Sequence, residues 1–548
     1  MIKELSITIK PEDEMNQGLH KNLIKKELQK NHIKADEFEL VFVKKSIDAR
    51  HGQLKLHLRY KVYIGEKPEA AGEWKPAWKN CQNAASDHTV IIVGAGPAGL
   101  FGALKLLESG IKPVIIERGK ETSTRKKDIA LISTRDIVNA DSNYCFGEGG
   151  AGTFSDGKLY TRSNKRGDIS SILRIFNYFG ADEKILTDAH PHIGTDRLPQ
   201  VINAMRKKII ELGGEFYFNE RVVELLIEKG GARGVAGGAG AGRRVYGVQT
   251  LNVESGEKRS FEGAAVLLAT GHSATDIYEM LAKEAPACLE AKTFAAGVRV
   301  EHPRSLIDSI QYHNRGAEAG LGAAEYRVTS QVDGRGVYSF CMCPGGFVVP
   351  SSSGPDEIVV NGMSAAARNS KWSNAAIVVE IRPEDIPQKH KAAADSLGCP
   401  QIAGLLFRQE IEKLTFENGK GQAAPAQRLT DFLAGRKSSD LPLSSYTPGL
   451  VPSELASWLP SHISDRLKKG FVEIDRSMHG FISPEALMIA SETRTSTPVR
   501  ILRDKESFEC QELLGLYPAG EGSGYSGGIV SSAMDGENAC SHIAETLK

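Results

Sequence analysis

The sequence predicts a mixed α/β protein in which a parallel, helix-flanked sheet is interrupted by an α+β insertion and preceded by a small α+β module. Two observations carry this prediction. Residues 89–117 read as a strand, a glycine-rich turn, a helix and a second strand, and residues 516–532 return to a strand-turn-helix pattern. The predicted order is an N-terminal module (1–66), a linker (67–88), the first part of the parallel-sheet domain (89–271), an inserted domain (272–485) and the second part of the parallel-sheet domain (486–548).

The first 66 residues have the periodicity of a small sheet with one helix. Apolar and polar residues alternate in 5–9, 38–47 and 54–64, and helical spacing joins Leu19 to Leu28. This β-α-β-β order predicts a ferredoxin-like α+β module. Its slight excess of basic over acidic side chains, with few aromatic ones, is too small to predict RNA binding. The linker is predicted to pack on the surface rather than to act as a free tether.

The apolar run Val90–Val93 leads into a turn with the spacing Gly-x-Gly-x-x-Gly. A continuous apolar run is typical of a strand buried on both faces of a parallel sheet. Gly94 permits the tight turn, Gly96 lets backbone approach a pyrophosphate, and Gly99 lets the helix pack on the strand. Glu117 ends the second strand, where a carboxylate can accept both ribose hydroxyls of an adenosine and disfavours the 2′-phosphate of NADP. These features predict a Rossmann-like dinucleotide-binding domain.

Three further segments combine strands or turns with small residues. Residues 147–157 hold five glycines and two hydroxyl side chains, so their backbone can lie close to a flat or charged ligand. Residues 267–271 form an apolar strand that ends in a tight turn. Residues 516–529 form a strand, a loop and the start of a helix whose N–H groups would face an anion or an electron-rich ring edge. For 147–157 alone, a turn-rich surface loop is the alternative.

The remaining elements have weaker signals. A helix is predicted over 196–212, and strands over 222–228 and 245–253 flank a Gly/Ala/Arg tract (230–244) that is predicted to be a mobile hairpin insertion. The predicted elements of the inserted domain are strands over 296–300, 337–340, 358–360 and 376–381 and helices over 401–414, 428–433 and 452–459.

Together these patterns resemble the flavoproteins of the glutathione-reductase-like class, which carry two dinucleotide motifs. The segments 44–50, 190–196, 340–346 and 492–500 narrow the resemblance to a bacterial group of uncharacterised FAD-dependent dehydrogenases with a small N-terminal module. The resemblance implies a Rossmann-like FAD-binding domain, an inserted α+β substrate domain and FAD as the cofactor.

The resemblance also implies which residues bind FAD. Glu521 stands where the class more often has Asp. The implied set is Gly94, Gly96, Gly99, Glu117 and Arg118 at the ADP half, Val222 at the adenine, Gly149, Gly150, Gly152, Thr153 and Ser155 in the loop, Thr270 and Gly271 near the cofactor, Gly520 and Glu521 at the ribityl–phosphate portion, and Gly527, Gly528 and Ile529 at the O2 end of the isoalloxazine.

Two cysteines are candidates for the chemistry. Cys341 and Cys343 are separated by one residue, so they can form a strained disulfide, or one thiolate can attack a substrate or a flavin adduct. Two small, buried, inert cysteines are the alternative. No second cysteine pair follows at zinc-site spacing, so no metal site is predicted.

Histidine and arginine supply further candidates. His190 and His192 flank a proline, and an imidazole near a flavin can act as a general acid or base; His192 is favoured because it lies nearer the next helix. Arg494 and Arg500 could bind a substrate carboxylate or neutralise a reduced-flavin anion. The alternatives are loop-fixing hydrogen bonds for the histidines and exposed salt bridges for the arginines.

Composition limits the classes of function. The 548 residues are 41% hydrophobic and 25% charged, and the 68 basic and 68 acidic side chains leave no global basic footprint for nucleic acid or an acidic membrane. No apolar run approaches the ~20 residues of a membrane helix, and the first ten residues lack a signal-peptide core. Eight scattered cysteines predict a reducing, cytoplasmic location.

The sequence therefore predicts an FAD-dependent oxidoreductase that acts on a small organic substrate between the FAD-binding and inserted domains. One complete glycine fingerprint is present, so NADH is predicted as a transient electron donor rather than a resident cofactor. The alternative is a flavin-containing RNA-modification or partner-binding protein that is recruited through its N-terminal module.

Overall fold

The structure is a computed structural model that describes residues 1–35, 37–68, 74–80, 88–161, 167–229, 242–316 and 320–548. The strands are β1 (Ile2–Ile9), β2 (Phe38–Asp48), β3 (Lys55–Ile64), β4 (Thr89–Val93), β5 (Lys112–Ile116), β6 (Glu215–Tyr217), β7 (Glu220–Lys229), β8 (Arg243–Asn252), β9 (Lys258–Glu262), β10 (Ala265–Leu268), β11 (Leu289–Ala291), β12 (Phe294–Pro303), β13 (Thr329–Val332), β14 (Arg335–Cys343), β15 (Phe347–Pro350), β16 (Val360–Met363), β17 (Trp372–Ile381), β18 (Ala424–Arg428), β19 (Leu450–Pro452), β20 (Leu487–Glu492), β21 (Val499–Ile501) and β22 (Leu516–Pro518). The helices are α1 (Gln17–Lys30), α2 (Pro97–Glu108), α3 (Thr122–Arg135), α4 (Ile169–Tyr178), α5 (Leu198–Glu211), α6 (Thr275–Glu284), α7 (Arg304–Tyr312), α8 (Gln388–Ser396), α9 (Ala403–Glu417), α10 (Leu429–Ala434), α11 (Ser461–Ser477) and α12 (Ile529–Thr546).

The N-terminal module is an antiparallel sheet with β3 between β1 and β2. Alternate residues of β3, among them Leu56, Leu58 and Val62, are buried in one core with Ile24 and Leu28 of α1. The predicted β-α-β-β order is confirmed. With three strands in this sheet, the likeness to a ferredoxin-like fold stays a prediction.

A parallel five-stranded sheet holds the glycine-rich motifs. Its order is β22-β10-β4-β5-β6, and each neighbouring pair is parallel. In β4, Ile91 and Val93 enter one hydrophobic core, whereas Val90 and Ile92 enter the core on the opposite face. Burial on both faces is the reason for the unbroken apolar run. Because β22 lies at one edge, the two ends of the sequence build one sheet.

Glycines let α12 approach α2 on one face of this sheet. A Cβ atom on Gly536 would lie 2.0 Å from the carbonyl oxygen of Ala98, and one on Gly102 would lie 2.9 Å from Sγ of Cys540. Close approach of the two helices brings the N-termini of both to the same end of the sheet, where the strand-to-helix turns lie.

The inserted segment is built on a seven-stranded sheet with the order β13-β14-β17-β12-β20-β18-β19. β12 lies at its centre, and nine of the ten residues of β12 are buried. The sheet extends beyond the predicted boundary at residue 485, because β20 pairs with β12. The other predicted domain boundaries stay predictions.

Two local predictions in the insertion were wrong. Residues 452–459 form no α-helix but contain a short 3₁₀ turn, and the helix lies just after them as α11. Its buried stripe of Ile463, Leu467, Phe471 and Ile474 has the helical spacing that would have revealed it. The strand predicted over 358–360 begins only at Val360.

The hairpin of β7 and β8 is confirmed as an antiparallel pair. Most of the tract predicted to be a mobile insertion between them, residues 230–241, lies outside the described residues. In the linker, residues 74–80 are described and pack on the body: Trp78 is buried and stacks on Phe179 with 6.1 Å between ring centroids. Within the described ranges, no helix is long and apolar enough to cross a membrane, and no three His, Cys, Asp or Glu side chains group as a metal site would require.

Candidate functional site

The turn between β4 and α2 depends on its glycines. Gly94 has φ +105°, and a Cβ atom there would lie 2.5 Å from the carbonyl oxygen of Ala269. A Cβ atom on Gly99 would lie 2.0 Å from the carbonyl oxygen of Gly94, so glycine alone lets the helix pack this closely on the strand. Gly96 is the N-cap of α2, and no side-chain cap is formed there. The turn therefore leaves helix N–H groups available for an anion such as a phosphate.

The Glu117 carboxylate lies buried at the end of β5. One carboxylate oxygen accepts the N–H groups of Gly119 at 2.9 Å and Gly147 at 3.0 Å, and the other accepts the N–H group of Ala95 at 2.9 Å. A carboxylate has about four acceptor positions. The geometry thus leaves room for about one ribose hydroxyl, where the sequence predicts two.

Arg118, next in the chain, forms ion pairs with Asp141 at 2.8 Å and Asp276 at 3.0 Å. Its guanidinium lies 4.1 Å above the centroid of the Phe146 ring. Two carboxylates already neutralise this side chain, so it offers a planar surface more than an unpaired charge.

The glycine-rich loop packs directly on the fingerprint turn. The N–H group of Gly149 donates to the carbonyl oxygen of Ala95 at 2.8 Å, and a Cβ atom on Gly150 would lie 3.2 Å from Cα of Gly96. Thr153 is buried and donates to the carbonyl oxygen of Glu148 at 2.9 Å. The loop is therefore an ordered part of the site and not a loose surface turn.

Arg125, fully buried in α3, holds this loop in place. Its guanidinium donates to the carbonyl oxygens of Asn143 (2.8 Å), Tyr144 (3.0 Å), Gly147 (3.2 Å), Glu148 (2.8 Å) and Gly150 (2.9 Å). Burial lowers the pKa of Arg125 to about 10, while nearby carboxylates oppose that shift. The arginine thus stays charged and fixes the loop through its backbone.

A histidine–carboxylate pair joins the turn after β10 to the turn after β22. Nδ1 of His272 lies 3.0 Å from Oε2 of Glu521, and Nε2 of His272 lies 3.0 Å from the carbonyl oxygen of Arg494. Gly520, which precedes the glutamate, has φ +76° and donates its N–H group to Asp535 at 2.9 Å. These contacts fix the turn after β22 beside the turn after β10.

Helix α12 begins at Ile529 with Gly528 as its N-cap, close to the predicted start, and no side chain caps it. A Cβ atom on Gly527 or Gly528 would have no neighbouring atom within 4 Å, whereas one on Gly152 would lie 3.1 Å from Ile529. The two glycines thus border open space. Neither has a left-handed φ, so a side chain at either position would meet no backbone strain of that kind.

One cavity of about 950 Å³ joins these segments, near the upper end of the range for small-molecule and cofactor sites. The predicted residues that line it are Gly94, Gly96, Glu117, Arg118, Gly150, Gly152, Ser155, Val222, Thr270, Gly271, Cys341, Arg494, Gly520, Glu521, Gly527, Gly528 and Ile529. His190 also lines it. Those that do not line it are Gly99, Gly149, Thr153, His192, Cys343 and Arg500.

Cys341 borders the cavity at a distortion of β14. The register between β14 and β17 shifts between Phe340 and Cys343, and Cys341 has φ +43°. Such a backbone is uncommon for a residue other than glycine and marks stored strain. The carbonyl oxygen of Cys341 accepts a hydrogen bond from Nη1 of Arg299 at 3.2 Å. Cys343 is fully buried behind it.

Lys158 extends from the glycine-rich loop to this cysteine segment. Its ammonium donates to the carbonyl oxygen of Met342 and lies 3.7 Å from Asp156. Burial would lower the pKa of Lys158, yet the sulfur atoms of Cys341 and Cys343 and the Asp156 carboxylate hold it above its ordinary value. A fixed positive charge therefore stands beside the cysteines.

Alternating charges continue along the same wall of the cavity. Arg368 donates to Asp156 at 2.6 Å and to Glu325 at 2.6 Å, and the other oxygen of Glu325 lies 2.9 Å from Nδ1 of His190. Although burial raises it, the pKa of Glu325 is lowered to about 2, because His190 and Arg368 bind the carboxylate. His190 is exposed at the open end of this row.

Three predicted catalytic side chains have other partners. Nε2 of His192 lies 3.2 Å from the carbonyl oxygen of Ala366, and burial lowers the pKa of this imidazole. Arg494 is buried and bound to Glu412 at 2.8 Å and Glu357 at 2.7 Å. Arg500 is paired with Glu290 at 2.6 Å. None of the three presents an unpaired polar group to the cavity.

Sequence reasoning missed Arg125, Lys158, His272 and Arg299. Lys158 directly follows the glycine-rich segment 147–157, and a basic residue at that position was the available signal. His272 directly follows the predicted turn at Gly271. Nothing local distinguishes Arg125 and Arg299 from surface arginines, since their roles arise from burial in the folded chain.

The fold and the site together define a Rossmann-like dinucleotide-binding protein. Two uncapped helix N-termini, a buried carboxylate at the end of β5 and glycines that border open space supply what an adenine dinucleotide requires. The family described as "FAD binding domain" matches residues 87–133, "FAD-dependent protein, C-terminal domain-like" matches 293–495, and a domain of unknown function matches 1–63.

The chain belongs to a family of uncharacterised FAD-dependent bacterial proteins, and its cofactor is FAD. An uncharacterised protein of Clostridium beijerinckii is 36% identical over 558 residues, covering 98% of each chain. Three solved structures show weaker similarity. They are Mycobacterium smegmatis Sdh1 in complex with UQ1 (16% identity, 84% of this chain and 69% of that chain, TM-score 0.34), the flavin-dependent brominase Bmp2 (12%, 84% and 79%, 0.32) and CtdE in complex with FAD (11%, 84% and 84%, 0.32).

Proposed function

We propose that the protein is an FAD-dependent oxidoreductase that acts on a small organic substrate at the Cys341 end of the cavity. The observation that carries the proposal is the continuity of one cavity from the fingerprint glycines to Cys341 and Lys158. A ligand beside these two side chains would share one cavity with the cofactor. Bound FAD would supply the hydride chemistry, and the chain would supply binding and orientation.

The proposed placement of FAD assigns each part of the cofactor to one of the motifs that line the cavity. Glu117, Arg118 and Val222 would lie at the adenosine, and Glu521 at the ribityl–phosphate portion. The first turn of α12 would face the electron-rich edge of the ring, as the positive end of a helix favours. The remaining predicted lining glycines would let backbone approach the cofactor.

At the substrate end, Cys341 and Lys158 are the proposed groups that contact substrate. A fixed ammonium beside a thiol favours the thiolate, which is the nucleophilic form. His190 is the proposed proton-carrying group in place of His192, because it lines the cavity at the end of the Glu325–Arg368 row. Arg494 becomes a positioning residue, since its carbonyl oxygen binds His272.

The N-terminal module is proposed to hold the open end of the cavity. The N–H group of Lys45 donates to the carbonyl oxygen of Thr187 at 3.0 Å, and that of Ala189 donates back to Lys45 at 3.0 Å. Nε2 of His313 lies 2.8 Å from the carbonyl oxygen of Ala49. The module thus contacts the segment that carries His190, which supports a structural role over recruitment of RNA.

Anaerobic reduction of the FAD-loaded protein tests the proposal. Stopped-flow mixing with NADH should bleach the flavin absorption, and mixing with NADPH compares the two donors. A panel of oxidised small molecules should then restore the absorption. Cys341→Ser should keep bound FAD but lose reoxidation by the true substrate, whereas Cys399→Ser, at a buried position away from the cavity, should keep both. A protein that stays colourless after FAD is supplied would refute the proposal.

A further inference from the structure

Four of the cysteines form two neighbouring pairs. In one pair, Sγ of Cys343 lies 3.6 Å from the carbonyl oxygen of Cys341. In the other, Cys288 and Cys510 are close enough that each shifts the pKa of the other. All four are free thiols. Cys341 lines the cavity, whereas Cys288 and Cys510 are buried and are not part of its lining. The chain thus holds one pair that a ligand can reach and one sealed pair of similar chemistry.

The position of Cys341 favours reaction at its sulfur. Its left-handed backbone, φ +43°, interrupts the pairing of β14 with β17. One extra residue of β14 is accommodated at this bulge, and the side chain of Cys341 lines the cavity. The hydrogen bond from Cys343 holds the pKa of Cys341 well below the usual range, and Lys158 and Arg299 act in the same direction against burial. The two nearby cations thus favour the thiolate form of this sulfur.

Cys343 is held close to Cys341 and away from solvent. Its Sγ lies 3.6 Å from the carbonyl oxygen of Cys341. A Cβ atom on Gly362 would lie 2.9 Å from Sγ of Cys343, and one on Gly346 would lie 3.1 Å from its Cβ. The hydrogen bond to Cys341 and burial raise the pKa of Cys343. A reagent in the cavity meets Cys341 first, because Cys343 is buried behind it.

We propose that Cys341 and Cys343 form a redox-active dithiol whose substrate in the cavity is a small-molecule disulfide. The Cys341 thiolate attacks one sulfur of the disulfide R–S–S–R, a new S–S bond forms, the old one breaks, and R–S⁻ leaves. Cys343 gives its proton to the departing thiolate and its sulfur attacks Cys341. That step forms the Cys341–Cys343 disulfide and releases the second R–S⁻. The substrate gains two electrons and the two cysteines lose them.

A disulfide is the substrate class that we assign to the proposed oxidoreductase. Only the reduction of the Cys341–Cys343 disulfide rests on the proposed function. Return of the Cys341–Cys343 disulfide to the dithiol needs two electrons, which the proposed FAD chemistry would supply. The exchange with substrate needs no flavin reduction. Lys158 assists by stabilising the thiolate.

The test uses the FAD-loaded, reduced-thiol protein and bis(2-hydroxyethyl) disulfide at pH 7, followed by thiol blocking and peptide mass spectrometry. We expect wild type to form the Cys341–Cys343 disulfide and to release two equivalents of 2-mercaptoethanol. In Cys343→Ser and in Cys343→Ala, the reaction should stop at a mixed disulfide between Cys341 and 2-mercaptoethanol. Cys341→Ser should leave Cys343 a thiol. Cys288 and Cys510 should stay thiols throughout as the internal control.

The positive charge of Lys158 can be tested separately through the pH dependence of Cys341 alkylation. Lys158→Met should move the midpoint of the pH profile for iodoacetamide alkylation of Cys341 to higher pH. Below that midpoint the reaction should slow by about tenfold for each pH unit that the midpoint moves. A persistent mixed disulfide in wild type, an unreacted Cys341, or oxidation of Cys288 and Cys510 at the same rate would each overturn the inference. Flavin absorption and its bleaching by NADH, recorded on the same samples, report separately on the proposed function.

Discussion

His272 and Glu521 form a hydrogen-bonded pair in the lining of the cavity. Nδ1 of His272 lies 3.0 Å from Oε2 of Glu521, and Nε2 lies 3.0 Å from the carbonyl oxygen of Arg494. A carbonyl oxygen only accepts, so Nε2 must carry a hydrogen. The contact between Nδ1 and a carboxylate oxygen then requires a second hydrogen, whichever atom it rests on. In the proposed placement of FAD, this pair would face the ribityl–phosphate portion of the cofactor.

Replacement of Glu521 should weaken FAD binding in a graded way. We expect Glu521→Ala to cost about 1.5–3 kcal/mol, the range for a charged hydrogen bond, which is roughly ten- to a hundredfold in the dissociation constant. Glu521→Gln keeps a donor for Nδ1 of a neutral His272 and should cost less. Fluorescence titration of apo-protein with FAD measures the order, with exposed Glu545→Ala as the control. Equal affinity for Glu521→Ala and wild type would contradict the assignment.

Removal of the Arg125 guanidinium should destabilise the glycine-rich loop. Five carbonyl oxygens accept from this buried side chain, so Arg125→Met removes five hydrogen bonds, and only the carbonyls of Gly147, Glu148 and Gly150 keep another donor that the structure shows. We expect a loss on the order of 3 kcal/mol in the free energy of unfolding and a loss of bound FAD. Thermal unfolding and flavin content after gel filtration measure both.

Two variants on the same helix sharpen the Arg125 test. Arg125→Lys keeps the charge but offers fewer donors, so it should fall between Met and wild type. Lys127→Ala changes an exposed residue and should match wild type. If Arg125→Met retains FAD and melts with wild type, the loop does not depend on this arginine.

The sequence predicted the fingerprint turn because its requirements are local. The spacing of Gly94 and Gly99 is a consequence of a strand and helix packed together, and each glycine has its predicted steric reason. The role of Lys158 could not be found this way, since its ammonium meets Met342, 184 positions later. Arg494 was predicted to bind substrate because the carboxylates that occupy it, Glu357 and Glu412, are distant in sequence.

The errors in the fold have a similar origin. Proline at 452 and the apolar residues up to 459 suggest a helix, but Pro452 ends a strand that pairs with β18. Pairing between distant strands decides that segment, whereas local periodicity decides α11. The seven-stranded sheet also continues past the predicted domain boundary at residue 485, because β20 pairs with β12, which lies far away in the sequence.

His302 should make stability depend on pH. It is fully buried, its Nε2 lies 2.8 Å from the carbonyl oxygen of Phe481, and burial lowers its pKa from 6.5 to about 4. Between these values the unfolded chain binds more protons than the folded one, so stability is full above pH 6.5 and falls as pH falls towards 4. The full contribution is about 3 kcal/mol.

Comparison with His302→Gln isolates this contribution. Glutamine keeps a donor for the carbonyl of Phe481 and does not titrate, so the variant should lose less stability between pH 7 and pH 5 than wild type. Thermal unfolding at both pH values gives the difference. His479→Gln alters an exposed histidine and should keep the wild-type slope. Parallel pH curves for wild type and His302→Gln would exclude the buried neutral histidine as a source.

Gly527→Val should abolish stable FAD binding while leaving the N-terminal module folded. A Cβ atom on Gly527 would point into open space at the start of α12, so the protein itself does not forbid a side chain there. Bound FAD would exclude a side chain there. The N–H groups of the helix stabilise the flavin only within hydrogen-bond reach, and a β-branched side chain would hold the ring away. Gly527→Ala should lie between valine and wild type, and Gly527→Val should lose more flavin than Glu521→Ala. Gly322→Val also meets open space but lies outside the cavity lining, so it should keep its FAD after gel filtration. Full flavin occupancy in Gly527→Val would mean that this loop does not face the isoalloxazine.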